Sequence, residues 1–194
     1  MRSFWAEPAV PDPPAPMRRD WLLAGVIVPV AIAETVLRND LVWPAPSLVL
    51  GCVLAAAVIV RRLHPLLAVV GTFGAIESVE IASLVAGVDW TGLNTMIVVL
   101  VLPYALFRWA SGPHIVIGVA VMEVAAILSI VDAPLSEAIG GAFILLVPAF
   151  LGGMVRAERE ARVREVAQVK SSEREQIARE LHDTVAHHVS AIAI

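Results

Sequence analysis

The chain has 194 residues, of which 58% are hydrophobic and only 16% charged, and its formal net charge is −4 at pH 7. Soluble domains carry roughly a quarter charged residues, so this balance and a mean hydropathy of +0.80 exclude an ordinary water-soluble globule. The single cysteine, Cys52, lies in an apolar run, which excludes a disulfide framework or a thiolate metal site.

Residues 1–19 hold Pro8, Pro11, Pro13, Pro14 and Pro16 among few large apolar side chains. They predict a disordered tail of partly polyproline conformation. Arg18 and Arg19 then precede an apolar run as a signal peptide would, but no small-residue cleavage pattern follows. The run is expected to be a retained first membrane helix.

Six runs, at about 21–38, 42–60, 65–87, 90–109, 114–131 and 135–155, fall near the ~17–25 residues needed to cross ~30 Å of hydrocarbon. The shorter ones, 42–60 above all, also fit re-entrant segments. Breaks at Arg38-Asn39-Asp40, Arg61 to Pro65, Asp89, Arg108 to Pro113 and Asp132 to Pro134 are short, so successive helices should run antiparallel. If the C-terminal tail is cytoplasmic, every one of the 14 Lys and Arg residues except Arg38 lies on its side of the membrane. That is the positive-inside pattern, and it needs an even number of spans with both termini cytoplasmic. Trp21, Trp43, Trp90 and Trp109 fall at predicted helix ends, as in an aromatic belt. Pro29, Pro103 and Pro148 lie inside spans and predict kinks.

Glu34, Glu77, Glu80 and Glu123 lie within or near the ends of these spans. Ionisable groups at membrane depth are functional candidates by default. Glu77 and Glu80 share a helix face and fit either a polar pocket or hydrogen bonding to Ser78, Ser83 or Thr72. The outer loops are too short for a folded sensor domain, so a stimulus should act in the bilayer or at its surface.

After Met154 the composition changes. Residues 156–183 carry seven basic and seven acidic side chains. Glu158 with Arg162, Glu160 with Arg164 and Glu175 with Arg179 are i,i+4 pairs in the favourable order, each contributing roughly 0.3–0.5 kcal/mol. Val163, Val166, Lys170, Glu173 and Ile177 form a thin heptad-like seam. Ser172 with Glu175 fits a capping box that would restart a helix there; an uninterrupted helix fits as well.

The chain ends on Glu173-Arg174-Glu175-Gln176-Ile177-Ala178-Arg179-Glu180-Leu181-His182-Asp183-Thr184-Val185-Ala186-His187-His188-Val189-Ser190-Ala191-Ile192-Ala193-Ile194. Ile177, Leu181, Val185, Val189 and Ile192 make one apolar helix stripe. His182 falls on its flank, and Asp183 and His187 lie i,i+4 on the polar side. A zinc site from His182, His187 and His188 is disfavoured, because their spacing does not gather three imidazoles on one helix. No Gly-rich phosphate loop is present, and direct nucleic-acid binding is not expected, because the cations hug the membrane edge and alternate with acids.

This terminal stretch resembles the phosphoacceptor helix of sensor histidine kinases. More narrowly it is similar to subgroup 3, whose partners are response regulators with LuxR-type DNA-binding output domains. The resemblance implies that His182 accepts the phosphoryl group, that Asp183 polarises its imidazole, and that His187 positions water for dephosphorylating the partner regulator. It also implies a homodimer. The returning hairpin helix and the ATP-binding domain are absent, so ATP and Mg2+ would belong to a missing catalytic domain, and the sequence reads as the sensor half of a kinase, a fragment or an incomplete frame.

The expected fold is all-α: a tail over 1–19, a six-span membrane sensor over 20–155, a linker or signalling helix over 156–171, and the first helix of a dimeric four-helix phosphoacceptor bundle over 172–194. Two other readings compete with a kinase. One is a six-span permease or channel subunit using Glu77 and Glu80 as a cation or proton relay. The other is a catalytically dead partner that damps a full-length kinase.

Overall fold

The structure is a computed structural model that describes residues 4–11, 13–129 and 135–192. Among these the chain forms six α-helices, two 3-10 segments and no strand. The helices are α1 (Arg18–Leu37), α2 (Pro44–Val60), α3 (Pro65–Ala86), α4 (Val101–Trp109), α5 (Gly112–Ser129) and α6 (Leu135–Ile192). The runs at 21–38, 42–60, 65–87 and 114–131 each fall on one helix, α1, α2, α3 and α5, whereas the run at 90–109 divides into a 3-10 segment over Asn94–Leu100 and the nine-residue α4, and the run at 135–155 is only the first part of α6. The connection predicted at residues 132–134 lies outside the described residues. The chain divides into two units, Met1–Met154 and Val155–Ile194.

Local chemistry sets the helix ends. Pro44 and Pro65 open α2 and α3 at first-turn positions, where a missing N–H costs nothing. Gly87 ends α3 in the left-handed region, at φ 64°. Its N–H donates to the Leu84 carbonyl at 3.2 Å and the Val88 N–H to the Ser83 carbonyl at 3.0 Å, a Schellman arrangement. Because a Cβ is strained there, Gly87→Ala should destabilise the bundle by about 1–2 kcal/mol, measured by thermal unfolding in detergent. A 3-10 segment, Asn94–Leu100, runs directly into α4. Pro103 sits in the first turn of α4, so the kink predicted there takes the form of a 3-10 to α junction.

In the first unit α1 packs on α2, α2 on α3, and α3 on α5. The buried stripe of α2, Ser47, Leu50, Gly51, Leu54 and Val58, has the i, i+3, i+4, i+7 spacing of one helix face. Its Leu54 and Val58 share one core with Ile27 of α1, Val69 and Phe73 of α3, and Leu102 and Leu106 of α4, and Gly51 lies against Ala31 of α1. A Cβ on Gly152 would collide with the Tyr104 carbonyl oxygen, so only glycine lets this turn of α6 lie against the backbone of α4.

The outside is apolar too. Leu22, Val26 and Val36 of α1 are 70%, 57% and 73% exposed, and Val49, Leu67 and Ile81 are exposed on α2 and α3. Large apolar side chains exposed on α1, α2, α3 and α5 mark a surface that water does not suit. By length and composition α1 and α3 are long and apolar enough to cross a membrane, while α2, residues 94–109 and α5 are shorter apolar helices.

Three features of this unit differ from the sequence expectation or escape it. Within the tail read as disordered, Phe4–Ala6 forms a 3-10 turn. The Val10 N–H donates to the Trp109 carbonyl at 3.2 Å, and the Gly112 N–H donates to the Glu7 carbonyl at 3.1 Å. These bonds satisfy groups that the α4–α5 corner would otherwise leave orphaned. Second, Trp109 is buried with the Arg108 guanidinium 4.7 Å from its ring centre, and Trp90 donates its indole N–H to the Ser47 hydroxyl at 3.0 Å. Both indoles therefore serve packing, which helix-end position alone does not reveal.

Third, Asp20 closes the bundle at one end. Its Oδ2 accepts the Met17 N–H at 2.8 Å, and its Oδ1 accepts from Arg61 at 2.6 Å and Arg62 at 3.1 Å. The carboxylate is 1% exposed and the two guanidiniums 11% and 8%. One acid thus caps α1 and ties it to the α2–α3 turn. Burial pushes the Arg61 guanidinium down from its ordinary value, and the Asp20 charge opposes that shift.

In the second unit α6 is helical through Ser172. The Ser172 hydroxyl donates back to the Val169 carbonyl at 2.8 Å, so no capping box restarts the helix. Arg164 and Glu160 lie 3.3 Å apart, and Arg162 pairs with Glu158, as the i,i+4 spacing predicts.

Candidate functional site

The four carboxylates that the sequence puts in or near its apolar runs have different surroundings. Glu34 caps the 3-10 segment: its Oε2 accepts the Thr95 N–H at 3.0 Å and the Thr95 hydroxyl at 2.7 Å, and its Oε1 also accepts the Asn94 N–H. Arg38 donates to Glu34 at 3.1 Å and to the Gly92 carbonyl at 2.9 Å. Its other face meets Asp40 at 2.6 Å, and that hydrogen bond holds the Asp40 carboxyl below its usual range. Every acceptor of Glu34 is occupied, so it behaves as a structural clamp of the short loops.

Glu77 and Glu80 gain no bridging hydroxyl. Ser78 donates to the Gly74 carbonyl at 2.6 Å and Ser83 to the Glu80 carbonyl at 2.7 Å, so both serve their own helix. Among the described residues Glu77 Oε1 and Thr72 Oγ1 are buried with no hydrogen-bond partner. Glu123 is exposed on α5. Among the described residues no group of His, Cys, Asp and Glu gathers to hold a metal ion.

The remaining chemistry lies on the C-terminal part of α6. The backbone is helical through Ile192, which gives the terminal stripe the periodicity its sequence requires. His182, Asp183 and His187 are therefore helical positions, but their side chains lie outside the described residues. The side chains just before them are described. Ile177 and Leu181 are 56% and 60% exposed, and Val163, Val166 and Val169 farther back are 63%, 68% and 52% exposed. Gln176 donates to Glu180 at 2.9 Å. Helix geometry puts Ile177 and Leu181 on one face, with position 182 about 100° around from 181.

Residues 173–194 match the histidine kinase family model HisKA_3. No curated protein and no solved structure matches the chain. The matched stretch supports a subgroup-3 histidine kinase dimerisation domain. It contains His182, Asp183 and His187, and it coincides with the C-terminal part of α6.

An exposed apolar stripe is what the first helix of such a domain requires, because a lone helix of this kind has no core of its own. Neither Asp20 nor its arginine partners stood out in the sequence as a group. The available signal was an acid at the third helical position after Met17, facing a turn that carries two adjacent arginines.

Proposed function

We propose that this chain is the membrane-sensing and phosphoacceptor part of a homodimeric sensor histidine kinase of a two-component system. The observation that carries the reading is the family match over residues 173–194, on a continuous helix whose described apolar residues are exposed. The spans would number six, with both termini cytoplasmic. The apolar outer surface of α1, α2, α3 and α5 and the one-sided distribution of arginines support that topology.

In this reading His182 is the nucleophile. Its neutral imidazole has a free nitrogen lone pair near pH 7, where an amine would be protonated. That nitrogen forms the N–P bond as the bond from the γ-phosphorus to its bridging oxygen breaks and ADP leaves. Asp183 accepts the proton of the other ring nitrogen and raises nucleophilicity. No phosphate-cradling glycine loop occurs in these 194 residues, so ATP and Mg2+ would be held by a separate catalytic domain. The resulting phosphoramidate would pass its group to an aspartate of a response regulator, of the LuxR-type output class.

The dimer would form by pairing the stripe Ile177, Leu181, Val185, Val189 and Ile192 across two copies. A change in helix packing of the membrane unit, transmitted along α6, would then alter access to His182.

His187 would serve the reverse reaction, orienting water toward the phosphorylated regulator. His187→Ala should leave labelling of this chain within about twofold while slowing regulator dephosphorylation about tenfold or more. The two rates are measured separately, with labelled regulator added to unlabelled chain for the second. Equal slowing of both would place His187 in helix packing instead.

A further inference from the structure

The outer face of α1 carries a groove of about 620 Å³ lined by Arg18, Trp21, Leu22, Gly25 and Val26. These positions recur at three- and four-residue steps, so they form a single helix face. Trp21, Leu22 and Val26 are 59%, 70% and 57% exposed. Gly25 has no heavy atom near the place a Cβ would take, so the floor of the groove is open where another residue would fill it.

One end of this groove is cationic, because Arg18 lines it and Arg19 follows in the chain. Arg18 and Arg19 are both exposed, and neither pairs with an acid among the described residues. Arg61 and Arg62 of the α2–α3 turn pair with Asp20, which sits about 200° around the helix from Arg18 and so on the face turned away from the groove. Arg18 and Arg19, both exposed, leave a surplus of positive charge at the predicted cytoplasmic edge of the membrane.

We propose that this groove binds a phospholipid with an anionic headgroup, its phosphate against Arg18 and Arg19 and one acyl chain along Trp21, Leu22, Gly25 and Val26. The proposal rests on the membrane reading above. Charge complementarity selects the occupant: an anionic headgroup neutralises the arginines, and the leaflet on that side of a membrane is the anionic one. A second copy docking the same face by a two-fold axis would bring arginine cluster against arginine cluster. A buried hydrocarbon chain accounts for the open apolar floor, which free phosphate would leave uncovered.

The test uses the full chain in nanodiscs of phosphatidylcholine doped with phosphatidylglycerol, followed by native mass spectrometry of retained lipid. Phosphatidylglycerol should be retained about tenfold over phosphatidylcholine, and inorganic phosphate should not compete. The R18Q/R19Q double variant should bring retention to the phosphatidylcholine level. Gly25→Leu should lower it with the arginines intact. Equal retention of the two lipids, or retention unchanged in either variant, overturns the proposal. Loss of a dimer in Gly25→Leu, seen by sedimentation, would assign the groove to a second copy instead. Extraction of the chain from vesicles by carbonate would sink the membrane reading and the lipid site together, whereas firm insertion without lipid preference sinks only the site.

Discussion

Phosphoryl label on this chain should fall by more than about a thousandfold in His182→Gln when the protein is incubated with a subgroup-3 kinase catalytic domain and labelled ATP. Glutamine is a good helix former and keeps a polar side chain at the position, so the α6 backbone should persist. What disappears is the nitrogen lone pair, and an amide offers no comparable nucleophile. Unchanged far-ultraviolet circular dichroism would separate this loss from unfolding. Asp183→Asn should lower the rate by a smaller factor, because it weakens the polarisation of the ring without removing the acceptor. Label that survives in His182→Gln would move the phosphoacceptor elsewhere.

Asp20→Asn should destabilise the first unit by about 3 kcal/mol, the range for removing one partner of a buried ion pair. The amide can still accept the Met17 N–H, so the helix start is retained and the charge alone is tested. The loss arises because Arg61 and Arg62, 11% and 8% exposed, keep their charges beside a neutral group. The triple variant Asp20→Leu with Arg61→Leu and Arg62→Met should recover much of that stability, since replacing a whole buried ionic group by apolar side chains is often neutral. Thermal unfolding in detergent measures both. Equal stability of Asp20→Asn and the parent would show that the arginines escape to solvent and that the triad holds nothing together.

Much of the architecture was legible because hydrophobic run length is a strong signal. Pro44, Pro65 and Gly87 mark helix ends by backbone chemistry that acts locally, so the limits of α2 and α3 follow from the chain itself. The tertiary pairings were not legible. Glu34 meets Thr95 across 61 positions and Arg62 meets Asp20 across 42, and no local rule links such residues. Glu34 consequently resembled an intramembrane functional acid, although its oxygens are occupied in capping Asn94–Leu100. Trp90 and Trp109 looked like belt residues for the same reason.

Ser172 shows the limit of a motif. Its spacing to Glu175 suits a cap, but a serine inside a helix can return its hydroxyl to a preceding carbonyl, and here it does so at Val169. The terminal motif was legible for another reason. Its information is the identity and order of adjacent residues, and these are fully present in the chain.

The account turns on where the phosphate lands. The full chain should be labelled with a kinase catalytic domain and ATP, digested at neutral pH, and its phosphopeptides mapped by mass spectrometry. An acid-labile, alkali-stable phosphoramidate on His182 is the predicted result. An acid-stable phosphate ester on Thr184 or Ser190, or a phosphoramidate confined to His187 or His188, would contradict it.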